Sequence, residues 1–205
     1  MKKVVFIFTA IAYYLINLNN LFSQVPDCPP NEDWIPEYAI YLIEYNGISC
    51  ETEVFYCYKT VNNQRYNYIR QVTMLDNDCL TPGTDLSSKI IWDQIVTNVF
   101  IDQTEAAQWD DKYLVVPPCP STFTNIVVQK KSCWFWLNLG ESTYLMPCEN
   151  SEYACFTYFT VCYNYNVALP QLIVQQVGGL TILCDINKGD WSPFLTQSQC
   201  WSTCY

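Results

Sequence analysis

Histidine is absent from this 205-residue chain, and basic residues are scarce. Without histidine there is no serine–histidine or cysteine–histidine nucleophile, no imidazole proton shuttle and no histidine zinc ligand. The sequence also has no Cys-x2-Cys pair, the usual signature of a zinc site made of cysteines alone. We therefore predict no catalytic residue, no bound cofactor and no metal site.

The scarcity of positive charge limits the partners. The chain has 20 Asp and Glu against 10 Lys and Arg, a formal net charge of −10. Nucleic acid and anionic lipid both attract basic surfaces, so this balance argues against either as a partner. We predict an unknown protein or glycan partner, no nucleic acid, and no membrane insertion once the leader is removed.

The N-terminus has the pattern of a secretory leader. Lys2 and Lys3 precede a 13-residue apolar run over 4–16, which is too short to span a bilayer, and the small residue Ser23 suits a cleavage site. We predict a signal peptide over 1–23, with an uncleaved anchor as the alternative. No second long apolar stretch follows, so the mature protein is expected to be secreted or periplasmic.

All the cysteines follow this leader, and their number is even. Twelve cysteines in an exported chain predict six structural disulfides rather than a metal site. The predicted disulfide residues are Cys28, Cys50, Cys57, Cys79, Cys119, Cys133, Cys148, Cys155, Cys162, Cys184, Cys200 and Cys204.

Two stretches of the chain match at an offset of 105 residues. Eight of the 30 positions from Cys50 to Cys79 are identical to their counterparts from Cys155 to Cys184, including all three cysteines of each stretch. The shared pattern is Cys-x-Thr-x4-Cys-Tyr, followed by a third cysteine. We interpret it as a duplicated unit with a related disulfide framework.

Each copy is predicted to be β structure, because 53–60 and 156–165 are rich in Tyr, Phe, Val and Thr. In the second copy, 172–177 and 180–184 are predicted to be strands joined by a turn at Gly178-Gly179. The equivalent turn of the first copy would be Thr73-Met74, a poor turn sequence. Further strands are predicted at 124–129, 133–139 and 143–146.

Strand geometry restricts the disulfide pairing. Residues seven apart in a strand lie about 23 Å apart, whereas a disulfide joins Cα atoms within about 7 Å. This excludes Cys50–Cys57 and Cys155–Cys162. If the first copy is self-contained, two pairings are left for its cysteines, either 28–50 with 57–79 or 28–57 with 50–79. The later cysteines stay unassigned.

One helix is predicted between the copies, over about 85–102. Leu86, Ile90, Ile91, Ile95, Val99 and Phe100 recur at helical spacing, and Thr84 or Asp85 can cap the start. The resulting fold class is mainly β with one central helix (α+β), in two related disulfide-stapled β units. We place the first unit at 24–116 and the second at 117–205, with a proline-rich joint around Pro117-Pro118.

Carboxylate pairs are the remaining candidates for catalysis. Asp76 with Asp78, Glu105 with Asp110, and Asp185 with Asp190 could support hydrolysis, although each is more simply a turn or loop residue. The segment 185–190 also approximates a calcium-binding loop, but its glycine and last aspartate are transposed and Thr196 stands where a glutamate is needed.

Tryptophans are the candidate ligand-binding residues. Trp134 and Trp136 flank Phe135, so both indoles share one face of a strand, and Trp191 and Trp201 follow near the C-terminus. Exposed rings of this kind can stack on sugars or anchor a protein partner. The alternative is that these rings fill the core of a small sheet.

The Cys-x-Thr-x4-Cys-Tyr pattern at 50–58 and 155–163, together with Ser132-Cys133-Trp134 and Pro117-Pro118-Cys119-Pro120, resembles a group of cysteine-rich exported proteins of Gram-negative bacteria. The resemblance covers most of the mature chain and implies no activity. The sequence thus favours a secreted or periplasmic, non-catalytic structural or interaction protein. The alternatives are a carbohydrate-binding module using the tryptophans and an Asp/Glu-dependent hydrolase.

Overall fold

The structure, a computed structural model, describes residues 27–30, 32–62, 64–109, 115–122, 126–148, 154–180 and 189–204. The predicted signal peptide at 1–23, the start of the predicted strand 124–129, and the candidates Asp110, Cys184 and Asp185 lie outside them. The elements are β1 (Ile35–Tyr45), β2 (Ile48–Val61), β3 (Gln64–Met74), a 3-10 turn (Asn77–Cys79), α1 (Lys89–Trp109), β4 (Ile126–Lys131), β5 (Cys133–Asn138), β6 (Thr143–Pro147), β7 (Ala154–Asn164), β8 (Gln171–Leu180) and β9 (Trp201–Ser202).

The nine described strands form one sheet that branches at β3. One side of β3 pairs antiparallel with β2, while its other side pairs in parallel with β4 and then antiparallel with β6. One branch continues through β7 to β8, and the other through β5 to β9. The prediction of a mainly β fold with a single helix is confirmed for the described residues.

The first hairpin closes at Asn46-Gly47. Both residues have positive φ, 51° and 77°, which is the backbone of the tight turn that best matches the twist of two antiparallel strands. The turn sets the register of β1 on β2, in which Tyr45 faces Ile48 and Ile43 faces Cys50.

The two related stretches form hairpins with corresponding registers. In the β2–β3 hairpin Cys57 pairs with Tyr68, and in the β7–β8 hairpin Cys162 pairs with Ile173, again 105 residues later in both strands. Each hairpin also has one register shift, between Phe55 and Tyr56 or between Tyr158 and Phe159. This correspondence supports the interpretation of a duplication, whose common origin stays a prediction.

The turn predicted at Gly178-Gly179 is wrong, whereas the expectation that Thr73-Met74 is no turn agrees with the structure. Gly178 and Gly179 lie inside β8, where they pair with Tyr158 and Thr157, and Thr73 lies inside β3. Glycine tolerates extended backbone as well as positive φ, so the Gly-Gly pair alone did not specify a turn. The cross-strand hydrogen bonds with β7 fix the extended conformation.

The helix begins later and ends later than predicted, because its flanks have other partners. Before it, the backbone amides of Gly83 and Leu86 bond the carbonyls of Trp191 and Gly189, which keeps 83–86 out of the helix. Beyond 102, Thr104 and Ala107 are buried, so the helix keeps its contact with the sheet for two more turns. Within the predicted stripe, Ile90 alone is largely exposed.

The core lies between α1 and the inner face of the sheet. Trp92 and Phe100 of the helix pack against Trp134 and Phe159, with ring centroids 4.8 and 4.4 Å apart. Strands from both predicted units line this core, since β3 of the first pairs with β4 and β6 of the second. The boundary between residues 116 and 117 stays a prediction.

Residues 27–30 and 32–34 lie over the outer face of β2 and β3. Cys28 of this segment is disulfide-bonded to Cys57, and Arg70 donates to the Asp27 carbonyl at 3.1 Å. Trp34 lies against Tyr68, with ring centroids 6.2 Å apart. The segment therefore adds a second layer over the middle of the sheet.

Five disulfides join described residues. The pairing of the first copy is 28–57 with 50–79, which is one of the two arrangements that strand geometry allowed. Neither excluded bond forms, since Cys155 pairs with Cys204 and Cys162 with Cys119, and Cys148 pairs with Cys200. Cys133 is also disulfide-bonded.

Candidate functional site

Strand β1 is an open edge of the sheet. It pairs with β2 along one side, and no other described strand pairs with it. The sequence interpretation missed this strand, although 35–45 is followed by Asn46-Gly47, the strongest short hairpin signal. That turn motif could have revealed it.

Contacts with the helix show which backbone groups point away from β2. The Glu44 amide donates to the Gln94 side-chain carbonyl at 2.8 Å, and the Gln94 side-chain amide donates back to the Glu44 carbonyl at 2.7 Å. Backbone direction alternates along a strand, so the groups of Leu42, Ile40 and Tyr38 point to the same outer side. Within the described part of the chain, nothing bonds them there.

The same three residues expose their side chains. Tyr38, Ile40 and Leu42 retain 51%, 62% and 64% of their accessible surface, and they follow one another on the outer face of β1. We call this stretch the β1 ridge. Tyr38 packs on Phe55 of β2, with ring centroids 4.6 Å apart, which anchors one end of the ridge to the sheet.

The surroundings of the β1 ridge are acidic. β2 places carboxylates beside Ile40 and Leu42 through its pairing with β1, and α1 places two more below the edge. Within the described residues, none of these acidic groups makes an ion pair. They are Glu37 and Glu44 on β1, Glu51 and Glu53 on β2, and Asp102 and Glu105 on α1.

A hydrogen-bonded network ties β1 and β2 to the helix beneath the edge. The Tyr41 hydroxyl donates to Asp102 at 2.8 Å, and Gln103 donates to the Tyr56 hydroxyl at 2.9 Å while accepting from the buried Arg65 at 2.7 Å. Burial, followed by the field of nearby groups, raises the pKa of Tyr41 above its ordinary value, so the hydroxyl stays a donor. The edge is held rigidly in place.

The tryptophans predicted to bind ligands are in the core. Trp134, Trp136 and Trp201 are fully buried and Trp191 is nearly so. Their indole faces contact other core residues, as Trp134 contacts Trp92. The structure therefore agrees with the alternative that these rings fill the core, and they form no exposed stacking surface.

Of the four described carboxylate candidates, Asp76, Asp78 and Asp190 lie in turns or loops and Glu105 lies on α1. Asp76 accepts from the Asp78 amide at 2.8 Å and so caps the 3-10 turn, while Asp190 forms a backbone bridge with Asp85. Asp76 and Asp78 line an open cleft of about 450 Å³ that also includes Glu141. Glu105 is exposed on α1, apart from these turns. Nothing in this arrangement singles out an acid and a base.

A buried lysine lies against the helix. Lys130 of β4 donates to the carbonyl and the hydroxyl of Thr203, the latter at 2.6 Å, and its Nζ lies 4.6 Å from the Trp92 ring centre. Burial is the main cause that lowers the pKa of Lys130 well below 10.5, and Lys89 adds to it while Asp93 opposes it. The adjoining cavity of about 20 Å³ has room for one water but no substrate.

Lys130 should make stability depend on pH. Between its lowered pKa and the unfolded value near 10.5, the unfolded chain binds a proton that the folded chain lacks, so stability rises with pH there. We expect Lys130→Met to remove a slope of up to about 1.4 kcal/mol per pH unit and to stabilise the protein at pH 7. Urea denaturation at a series of pH values up to about 9.5 measures this slope, which is present above the lowered pKa of Lys130.

The control for that measurement is Lys59→Met, because Lys59 is only partly buried and forms an ion pair with the exposed Glu32. The Lys59 variant should keep the slope of the unaltered protein. Equal slopes for the Lys130 variant and the unaltered protein would show that Lys130 is charged in the folded state.

Comparisons with known proteins give no assignment: no protein-family model, no curated protein and no solved structure matches this chain. Among the described residues, no group of His, Cys, Asp or Glu side chains is placed to hold a metal ion. No helix in the same part of the chain is long and apolar enough to cross a membrane. The resemblance to cysteine-rich exported proteins stays a prediction.

Proposed function

We propose that the chain is an exported, non-catalytic interaction protein that binds its partner along the β1 ridge. The observation that carries this proposal is an 11-residue edge strand with three successive outer-face apolar residues exposed. Proteins ordinarily protect such an edge by charge, proline or a covering element, since it offers unpaired backbone groups to any extended chain. Between Pro36 and Glu44, the outer face of β1 carries none of these protections, so this stretch is a candidate interface.

Export is supported by the leader pattern and by the five disulfides among the described residues. Disulfides of this density persist in oxidising compartments and compensate for a limited core. They also favour an interaction role, because a stapled sheet presents its edge with little flexibility and little ordering cost on binding.

Position-specific photo-crosslinking in the exporting cells tests this function. A benzophenone amino acid in place of Tyr38 should give one discrete adduct, because the ring lies on the β1 ridge. The matched control is the same amino acid in place of Phe194, which is 91% exposed but lies in the C-terminal loop. Equal adduct patterns at the two positions, or none at Tyr38, would contradict the proposal.

A further inference from the structure

We propose that the β1 ridge binds an extended segment of another protein, with alternating apolar and basic residues, as an added antiparallel strand. This inference rests on the proposed function and specifies its partner. Three features carry it: the direction of the free backbone groups, the apolar ridge, and the acidic flank of α1.

The backbone groups define where the added strand lies. The N–H and C=O of Tyr38, Ile40 and Leu42 point outward, and the Gln94 side chain closes the edge at Glu44 in the way a neighbouring strand would. An antiparallel strand can form hydrogen-bonded pairs with each of these three residues, and antiparallel pairing is also how β1 joins β2. The open site therefore holds about five to seven residues of partner chain.

The two faces of the sheet at this edge define the alternating apolar and basic residues of the partner strand. On the outer side, partner residues opposite the β1 ridge would extend its apolar surface, so apolar residues fit there. On the inner side, partner residues would point toward α1, where Asp102 is fixed by the Tyr41 hydroxyl and Glu105 lies three residues further along the helix. Both acids are exposed, so Lys or Arg fits on this side.

Charge also disfavours a second copy of this chain as the occupant. Pairing of β1 with β1 of another copy would bring together two sets of the same carboxylates, which is destabilising. Strand β8, the other long edge, has no basic residue between Gln171 and Leu180 and cannot meet Asp102 and Glu105 with opposite charge. A segment of a different protein with alternating apolar and basic residues can pack on the β1 ridge and also meet Asp102 and Glu105 with opposite charge.

Peptide binding tests the inference directly. The probe is fluorescently labelled acetyl-Val-Lys-Val-Lys-Val-Lys-Val-amide, and the control has Glu in place of Lys. We expect saturable binding of the lysine peptide by fluorescence anisotropy, weakened at about 0.5 M salt, and none of the glutamate peptide. No binding of the lysine peptide up to about 1 mM would overturn the proposal.

N-methylated peptides test the strand pairing. In the antiparallel arrangement the valine amides point to β1 and the lysine amides point away. N-methylation of the valines should therefore abolish binding, whereas N-methylation of the lysines should leave it. Any other pattern would overturn antiparallel strand addition.

Protein variants locate the site. Ile40→Pro removes one outward backbone N–H, at a position whose backbone points to the same side as that of the natural Pro36. Ile40→Lys places a positive charge beside the basic probe and repels it. Each variant should weaken binding of the lysine peptide about tenfold or more. Asp102→Asn with Glu105→Gln should weaken binding and reduce its salt dependence. The control, Glu141→Gln with Asp190→Asn, removes the same charge elsewhere and should change neither.

The outcomes separate this inference from the proposed function. A Tyr38 photo-adduct in cells without peptide binding would overturn the basic-strand partner and leave the interaction function standing. A dimer of the free protein that Ile40→Pro dissociates would overturn it in favour of a second copy. Lysine-peptide binding that Ile40→Pro and Ile40→Lys both abolish, in variants that melt like the unaltered protein, would establish it.

Discussion

Trp134→Ala should lower the free energy of unfolding by about 3–5 kcal/mol, a large part of the total for a domain of this size. The indole is fully buried, packs against Trp92 in a tilted arrangement, and donates its N–H to the Lys131 carbonyl at 2.7 Å. Alanine would leave a ring-sized cavity in the layer between β5 and α1. Urea denaturation followed by far-ultraviolet circular dichroism measures the loss.

Phenylalanine substitutions separate ring packing from hydrogen bonding. Trp134→Phe removes the hydrogen bond from the indole N–H to the Lys131 carbonyl, whereas the Trp136 indole N–H has no partner among the described residues. We therefore expect Trp134→Phe to cost about 1–3 kcal/mol more than Trp136→Phe. Equal losses of stability in the two variants would show that ring packing, and not the hydrogen bond, determines the contribution of Trp134.

The same variants test the carbohydrate-binding alternative. The surface control is Phe194→Ala, which should change stability little because its ring is exposed. If Trp134→Ala folded with unchanged stability and lost polysaccharide binding, Trp134 would be a binding residue. That result would contradict the burial of its ring in the core.

Loss of either disulfide of the first copy should cost about 3–4 kcal/mol by the chain-entropy estimate. The bonds 28–57 and 50–79 both span 29 residues, so this estimate gives the same value for each. Paired Cys→Ala variants, compared by urea denaturation at matched conditions, give two measurements of one expected quantity.

A difference between the two variants would report what each bond does in the folded state. Cys28–Cys57 fastens residues 27–30 over β2 and β3, whereas Cys50–Cys79 fastens the start of β2 to the 3-10 turn. A variant that lost far less than the other would show that its segment detaches without unfolding the sheet. A loss below about 1 kcal/mol in both would contradict the entropy estimate.

Several features of the fold followed from local chemistry. The strands around Cys57 and Cys162 were predictable because β-branched and aromatic residues fill them. The disulfide Cys50–Cys57 could be excluded from the rise per residue of a strand alone, and the structure confirms that this bond does not form. The helix was predicted from its spacing, but its bounds depended on partners such as Trp191 and Gly189, which lie about 100 residues away in sequence.

The site depended on contacts that no local pattern contains. The Asn46-Gly47 turn could have revealed β1, yet nothing in 35–45 shows that one side would lack a strand partner. Likewise, Trp134 and Trp136 share a face in any strand, and only the position of α1 decides that this face is buried.

The sequence by itself determined the chemistry available to this protein: no histidine, an excess of acid, and cysteines whose number and spacing predict disulfides. The tertiary structure decided which surfaces are free, because exposure depends on the order of strands in the sheet and on where the helix packs. It placed the rings predicted to bind ligands in the core and left the β1 ridge, which the sequence interpretation missed, open at the edge.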